Sequence, residues 1–222
     1  MLGLACLAGA LMAQQAGAVT FATFSLPTGT PLGFQILPGG TFSSINVGGD
    51  QAVLNWVNQG ALAGTSTAAY LTVSGSLTGV ASTPGGSILQ DFADVTLLFT
   101  DIPSNQLGAK VILRVEAVFG SLLSSAPYES AGASSTAVVF SSDLPVLDDG
   151  GGGGDLNTLF NQNRATAFNL NDLNPVASIG GGGSIDPFVA NIAGSFSAVP
   201  EPTGLLGLGL ASGLMLLARR RK

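Results

Sequence analysis

Lys110-Val111-Ile112-Leu113-Arg114-Val115-Glu116-Ala117-Val118-Phe119 decides how the rest of the chain is read. Val111, Leu113, Val115, Ala117 and Phe119 fall on one face of an extended strand, and Ile112, Arg114, Glu116 and Val118 on the other. Period two holds over the whole run, which is the signature of a β-strand with one buried face. Arg114 and Glu116 share a face two residues apart, so their expected role is a surface ion pair worth less than about 1 kcal/mol.

The same texture continues in both directions. Short β-branched or aromatic runs cover Val19 to Leu26, Phe34 to Leu37, Thr41 to Val47, Ala52 to Val57, Ala68 to Leu77, Val95 to Thr100, Ala137 to Ser141 and Ala190 to Val199. Gly and Pro punctuate them, as in Pro38-Gly39-Gly40 and Gly48-Gly49-Asp50. No segment carries a sustained helical stripe; Asp155 to Asn163 is long enough only for one or two helical turns. Many short strands with turn signals between them predict an all-β chain with a single antiparallel β-sandwich or jelly-roll-like domain over residues 19–198. Two glycine tracts, Gly150 to Gly154 and Gly180 to Gly183, mark about 145–185 as a flexible, loop-like insertion.

Composition excludes whole classes of chemistry. The chain has 222 residues, no His, and one Cys, Cys6, near its start. Disulfides, Cys/His zinc sites and His-dependent nucleophilic catalysis are therefore unavailable to the body. Lys110, Arg114 and Arg164 are the body's only bases; against them stand twelve of the thirteen acids, Glu201 being the exception, for a net charge of −9. Nucleic acid, which needs a basic footprint, is not an expected partner.

The remaining candidates are few. Asp148, Asp149 and Asp155 flank a glycine loop and are the calcium candidates, although their spacing fits no EF-hand and a solvated acidic turn explains them as well. Otherwise no cofactor is expected. Asp91, Asp94 and Asp101 could supply paired carboxylates for glycoside hydrolysis only if two of them faced each other. Trp56, Tyr70 and Tyr128 could stack on sugar rings, although the core is the better place for the single Trp, and most of the twelve Phe are expected in the core too.

The two ends carry addresses. Leu2 to Met12 is apolar and is followed by Ala16-Gly17-Ala18, which suits signal peptidase with Val19 as the mature start. No Lys or Arg precedes Lys110, so the usual basic n-region is missing and a start further upstream is expected. Cys6 lacks the preceding apolar run that lipidation needs. At the other end, Val199-Pro200-Glu201-Pro202-Thr203 precedes an uncharged run from Gly204 to Ala218, closed by Arg219-Arg220-Arg221-Lys222. Fifteen helical residues rise roughly 22 Å against a hydrocarbon core of about 30 Å, and snorkelling arginines lengthen the effective span. Pro200 and Pro202 bound the helix on the outside, and the four terminal bases hold the C-terminus on the cytoplasmic side.

This order of parts resembles the PEP-CTERM sorting domain of Gram-negative bacteria. The resemblance covers about 24 of the 222 residues and leaves the body unassigned. It implies processing by an exosortase near Val199, Pro200, Glu201 and Pro202, with transient residence in the inner membrane and delivery to the cell surface or extracellular matrix, in association with exopolysaccharide and biofilm. The function expected from all of this is that of an exported, non-enzymatic surface or matrix protein. A polysaccharide-binding module is the alternative, and a carboxylate-based glycoside hydrolase is third.

Overall fold

A computed structural model of the chain describes residues 19–27, 33–57, 62–143 and 164–198. The expected signal segment 1–18, the proposed helical turns at 155–163 and the expected sorting tail 199–222 lie outside these residues. Among those described are ten strands: β1 (Val19–Ser25), β2 (Phe34–Leu37), β3 (Thr41–Ser44), β4 (Asp50–Trp56), β5 (Ser66–Ser82), β6 (Ile88–Thr100), β7 (Val111–Ser124), β8 (Ala131–Ser141), β9 (Arg164–Asn174) and β10 (Phe188–Ala198). No helix among them is long and apolar enough to cross a membrane.

The chain is all-β and antiparallel, as the strand texture predicts. All ten strands belong to one sheet whose pairings return on themselves. Successive strands from β4 to β10 pair around the ring, with β3 and β2 inserted, and β1 joins β10 to β4. The stave between β5 and β10 is built from two half-height pairs set end to end. β10 takes β2 along Phe188–Ala190 and β1 along Ala193–Ala198. β5 takes β4 along Ser66–Leu71 and β3 along Ser74–Ser76. At the changeover Ser44 repairs the ladder: its Oγ donates to Leu71 O and accepts from Val73 N at 2.6 Å. Closure of this kind removes the free edges on which β-proteins aggregate.

Phenylalanine fills the ring in two tiers. Phe21, Phe24, Phe99, Phe140 and Phe196 interlock at the level of β1 and β4, with centroids 5.1–6.2 Å apart. Phe34, Phe42, Phe92, Phe168 and Phe188 do the same at the level of β2 and β3. All ten are buried, and each buried side chain of this size contributes about 1.5–3 kcal/mol relative to exposure. Outward positions carry Asp91, Arg114 and Asn169. Apolar inside and charged outside is the reverse of the pattern that a membrane-spanning barrel needs.

Three expectations need correction. First, Phe119 points outward. β6, β7 and β8 each change face at one level: inward positions are Phe92 then Val95, Ala117 then Gly120, and Ser135 then Val138. Irregular pairing marks this line between β7 and β8 and between β5 and β6, and Asp94 takes a left-handed φ of 52° to make the turn. Such bulges bend long strands and re-aim their side chains. Gly120 occupies the inward position beyond the bulge because a Cβ there would lie 2.3 Å from Phe92 Cζ.

Second, residues 145–185 are not one loop. Arg164–Asn174 form β9, a strand paired on both sides. Its outward residues include Asn169 and Asp172, which hide the period-two run Thr166, Phe168 and Leu170. Third, the Gly180–Gly183 tract is a tight hairpin over the end of the ring. Ile179 bridges Ile185, and Ser178 Oγ donates to Asp186 Oδ2 at 2.7 Å. Buried Gln90 pins this hairpin to β5: its Nε2 donates to Thr78 O at 2.7 Å, and its Oε1 accepts from Ile185 N at 3.3 Å. These bonds offset the entropy cost of ordering the glycines.

Candidate functional site

The residues singled out by chemistry scatter over the ring. Asp91 and Asp94 lie within β6 rather than before it, and Asp101 follows it. Asp91 and Asp101 are ten positions apart, roughly 33 Å of extended strand, so they do not form a pair across a cleft. Asp101 closes the β6–β7 loop instead, its Oδ1 accepting from Ile102 N at 2.9 Å and Lys110 N at 2.8 Å. Arg114 and Glu116 form the expected exposed ion pair, Arg114 Nε donating to Oε1 at 2.8 Å. Asp148, Asp149 and Asp155 lie outside the described residues, as do Ala16, Ala18 and every residue of the expected sorting tail, 199–222. Among the described residues no three His, Cys, Asp or Glu gather in a group that could hold a metal.

The aromatic candidates divide. Trp56 is core, with its Nε1 donating to Thr67 Oγ1 at 2.9 Å. Tyr128 is tied down through its hydroxyl, which donates to Gly86 O. Tyr70 borders a depression of about 210 Å³ that it shares with Pro27, Gln51 and Asp101. The aromatic that sequence reasoning missed is Phe119, 56% exposed on the outer face of β7. Only the bulge puts it there, and the polar Asp91 and Asp94 in the neighbouring strand were the one sequence cue to a break in the pattern.

Phe119 stands at the edge of a larger depression, about 350 Å³, that runs across β6, β7, β8 and β9. The register sets its rows. Asp91, Ser121 and Ser134 form one row, and Leu89, Leu123, Gly132 and Asn169 the next. Phe119 is the next outward residue before Ser121 on β7, about 7 Å along the strand. Gly132 makes the floor: a Cβ there would have Asn169 Oδ1 at 3.7 Å as its nearest neighbour, so the space above it is open.

One buried charge lies elsewhere. Asp50, 4% exposed, opens β4 where the two half-height pairs meet. Asn46 Nδ2 donates to its Oδ1, while Oδ2 has no partner. Burial pushes its carboxyl above the ordinary value of 3.8, partly countered by bonds from the Asn46 side chain and from the Asn46 and Ile45 backbone. A raised folded-state value means that the folded protein holds the proton more tightly. Asp50's contribution to stability is therefore full below 3.8 and is lost as pH rises through the folded value. Asp50→Asn should flatten this slope and raise the thermal midpoint relative to wild type at neutral pH. Thermal melts of both proteins from pH 3 upward check this; parallel profiles would refute it.

No family model matches the chain, nor does any curated protein or solved structure. Its class is therefore set by fold and surface alone: an antiparallel all-β ring with a phenylalanine interior.

Proposed function

We propose that the chain is an exported, non-enzymatic surface or extracellular-matrix protein, delivered by a signal peptide and sorted through a PEP-CTERM-like tail by an exosortase. In finer detail the domain is a single antiparallel β-sandwich or jelly roll, a reading supported by the two facing walls that the closed strand order gives. The observation that supports this reading is the meeting of its two ends. β1 begins at Val19, one residue after Ala18, and β10 ends at Ala198, one residue before Val199-Pro200-Glu201-Pro202. Val19 and Ala198 pair side by side in one antiparallel ladder. Both ends of the described domain thus meet at one corner, and cuts after Ala18 and near Pro200 would spare every described strand. The tail's helix and its Arg219, Arg220, Arg221 and Lys222 would hold it in the inner membrane until that cut.

Glu201→Ala should block removal of the tail in a host that carries an exosortase. Mass spectrometry of the mature C-terminus reads the result, and tail removal at wild-type efficiency would contradict the assignment. The second reading, a polysaccharide-binding module, is favoured by one observation, the outward-turned Phe119 near a mainly apolar depression whose lining includes Ser121, Ser134 and Asn169. The glycoside hydrolase reading loses support from the roughly 33 Å of extended chain between Asp91, within β6, and Asp101, just after it. Calcium bound by Asp148, Asp149 and Asp155 keeps its place as a candidate on sequence grounds alone.

A further inference from the structure

The face beside the bulge line has a composition unlike that of a solvated sheet. Phe119 and Val118 are both more than half exposed, and Leu123 is nearly so. Apolar and hydroxyl-bearing residues alternate on it: Phe119, Ser121 and Leu123 along β7, with Ser134 and Asn169 across from them. Asp91 and Asp94 on β6 are exposed carboxylates beside this face, and no basic side chain lines the depression. A polyanion would meet a carboxylate and no counter-charge. A fully apolar partner would bury Ser121, Ser134 and Asn169 without partners, which costs about 1–3 kcal/mol for each unsatisfied group. A neutral saccharide matches both halves: its ring C–H faces pack on an aromatic and on leucines, and its hydroxyls exchange hydrogen bonds with serine, asparagine and carboxylate.

We propose that this face binds an uncharged glycan, with one sugar ring on Phe119 and a ring two or three residues further along, about 14 Å away, seated over Gly132 between Leu123 and Asn169. The inference deepens the second reading given above and rests on it. The bulge is the device that creates the site, because regular alternation would have turned Phe119 into the core and left this face without an exposed aromatic.

The test uses the full chain, kept in solution by a polyoxyethylene detergent free of sugar headgroups. Titration calorimetry is run with cellohexaose, mannohexaose and chitohexaose, and with hexagalacturonate as the acidic control. At least one neutral oligomer should bind, and hexagalacturonate should not. Phe119→Ala and Gly132→Leu should each weaken binding about tenfold or more, equivalent to about 1.4 kcal/mol, with unchanged thermal midpoints. Neutral binding that survives both substitutions would overturn this site while leaving a polysaccharide-binding function standing. Failure of wild type to bind any of the three would overturn both. Self-association of wild type that Phe119→Ser abolishes, without glycan binding, would assign the face to a second copy of the chain and overturn the proposal.

Discussion

Phe196→Ala should lower the stability of the folded domain by about 3–5 kcal/mol, the usual cost of removing a large buried aromatic. Phe196 is fully buried on β10 and touches four other rings: it stacks on Phe24 at 5.3 Å and meets Phe99, Phe140 and Phe21 at 5.8, 5.9 and 6.2 Å. Those partners belong to β1, β6 and β8, so one side chain ties opposite walls of the ring together. The void cannot close easily, because each wall is held by ladders on both sides. Urea denaturation should show a lower midpoint with an unchanged m-value, and the thermal midpoint should fall by roughly 6–20 °C for a domain of this size. Total stabilities are about 5–15 kcal/mol, so this is a large share of the whole. Phe119→Ala is the control, expected to cost almost nothing. A loss below about 1 kcal/mol at Phe196 would mean that the two-tier core is not packed as described.

Gly194→Val is the second large effect, and its cause is the opposite one, overfilling. Gly194 faces inward between Ile192 and Phe196 and sits where the two tiers approach each other. A Cβ there would lie 2.5 Å from Ala167 O, 2.6 Å from Phe24 Cε1 and 2.9 Å from Phe168 Cβ. A flexible side chain could yield, but Ala167 O is backbone of β9 and is held in the β9–β10 ladder. Overpacking typically costs about 1–3 kcal/mol, and a clash with paired backbone belongs at or above the top of that range. We expect Gly194→Val either to unfold at least as readily as Phe196→Ala or to accumulate only as insoluble protein. Gly194→Ala, with the smaller added volume, should show the same direction at reduced size. Wild-type melting of the valine variant would show that β9 and β10 do not approach this closely.

Legibility varied along the chain for identifiable reasons. Phe34–Leu37 was readable to the residue, because Pro38-Gly39-Gly40 ends it and Gly40, at a φ of 78°, makes a turn that few other residues would accept. β1, β4 and β10 were legible within a residue or two, since apolar alternation runs to their ends. β6 was cut short at Val95 because Asp91 and Asp94 look like loop residues; they are outward positions on either side of a bulge. β9 was missed for the same reason, aggravated by a glycine tract on each side. The candidate site fared worse than the fold. Tyr70, Trp56 and Tyr128 were singled out by residue type, while Phe119 was assigned to the core by the very alternation that identified its strand.

From the sequence alone came the period-two patterning that makes the chain antiparallel β, the absence of His and of body Cys that removes whole chemistries, and the terminal segments on which the proposed export rests. These properties are local or compositional, and a few neighbouring residues are enough to express them. Only the tertiary structure decided that the strands join into a ring, that phenylalanines sort into two tiers, and that Phe119 faces outward. Each of these depends on pairings between residues as far apart as Val19 and Ala198, and on the space left by Phe92 beside Gly120. Closure and bulge position are set by how distant side chains compete for one interior volume, a quantity that no window along the chain contains.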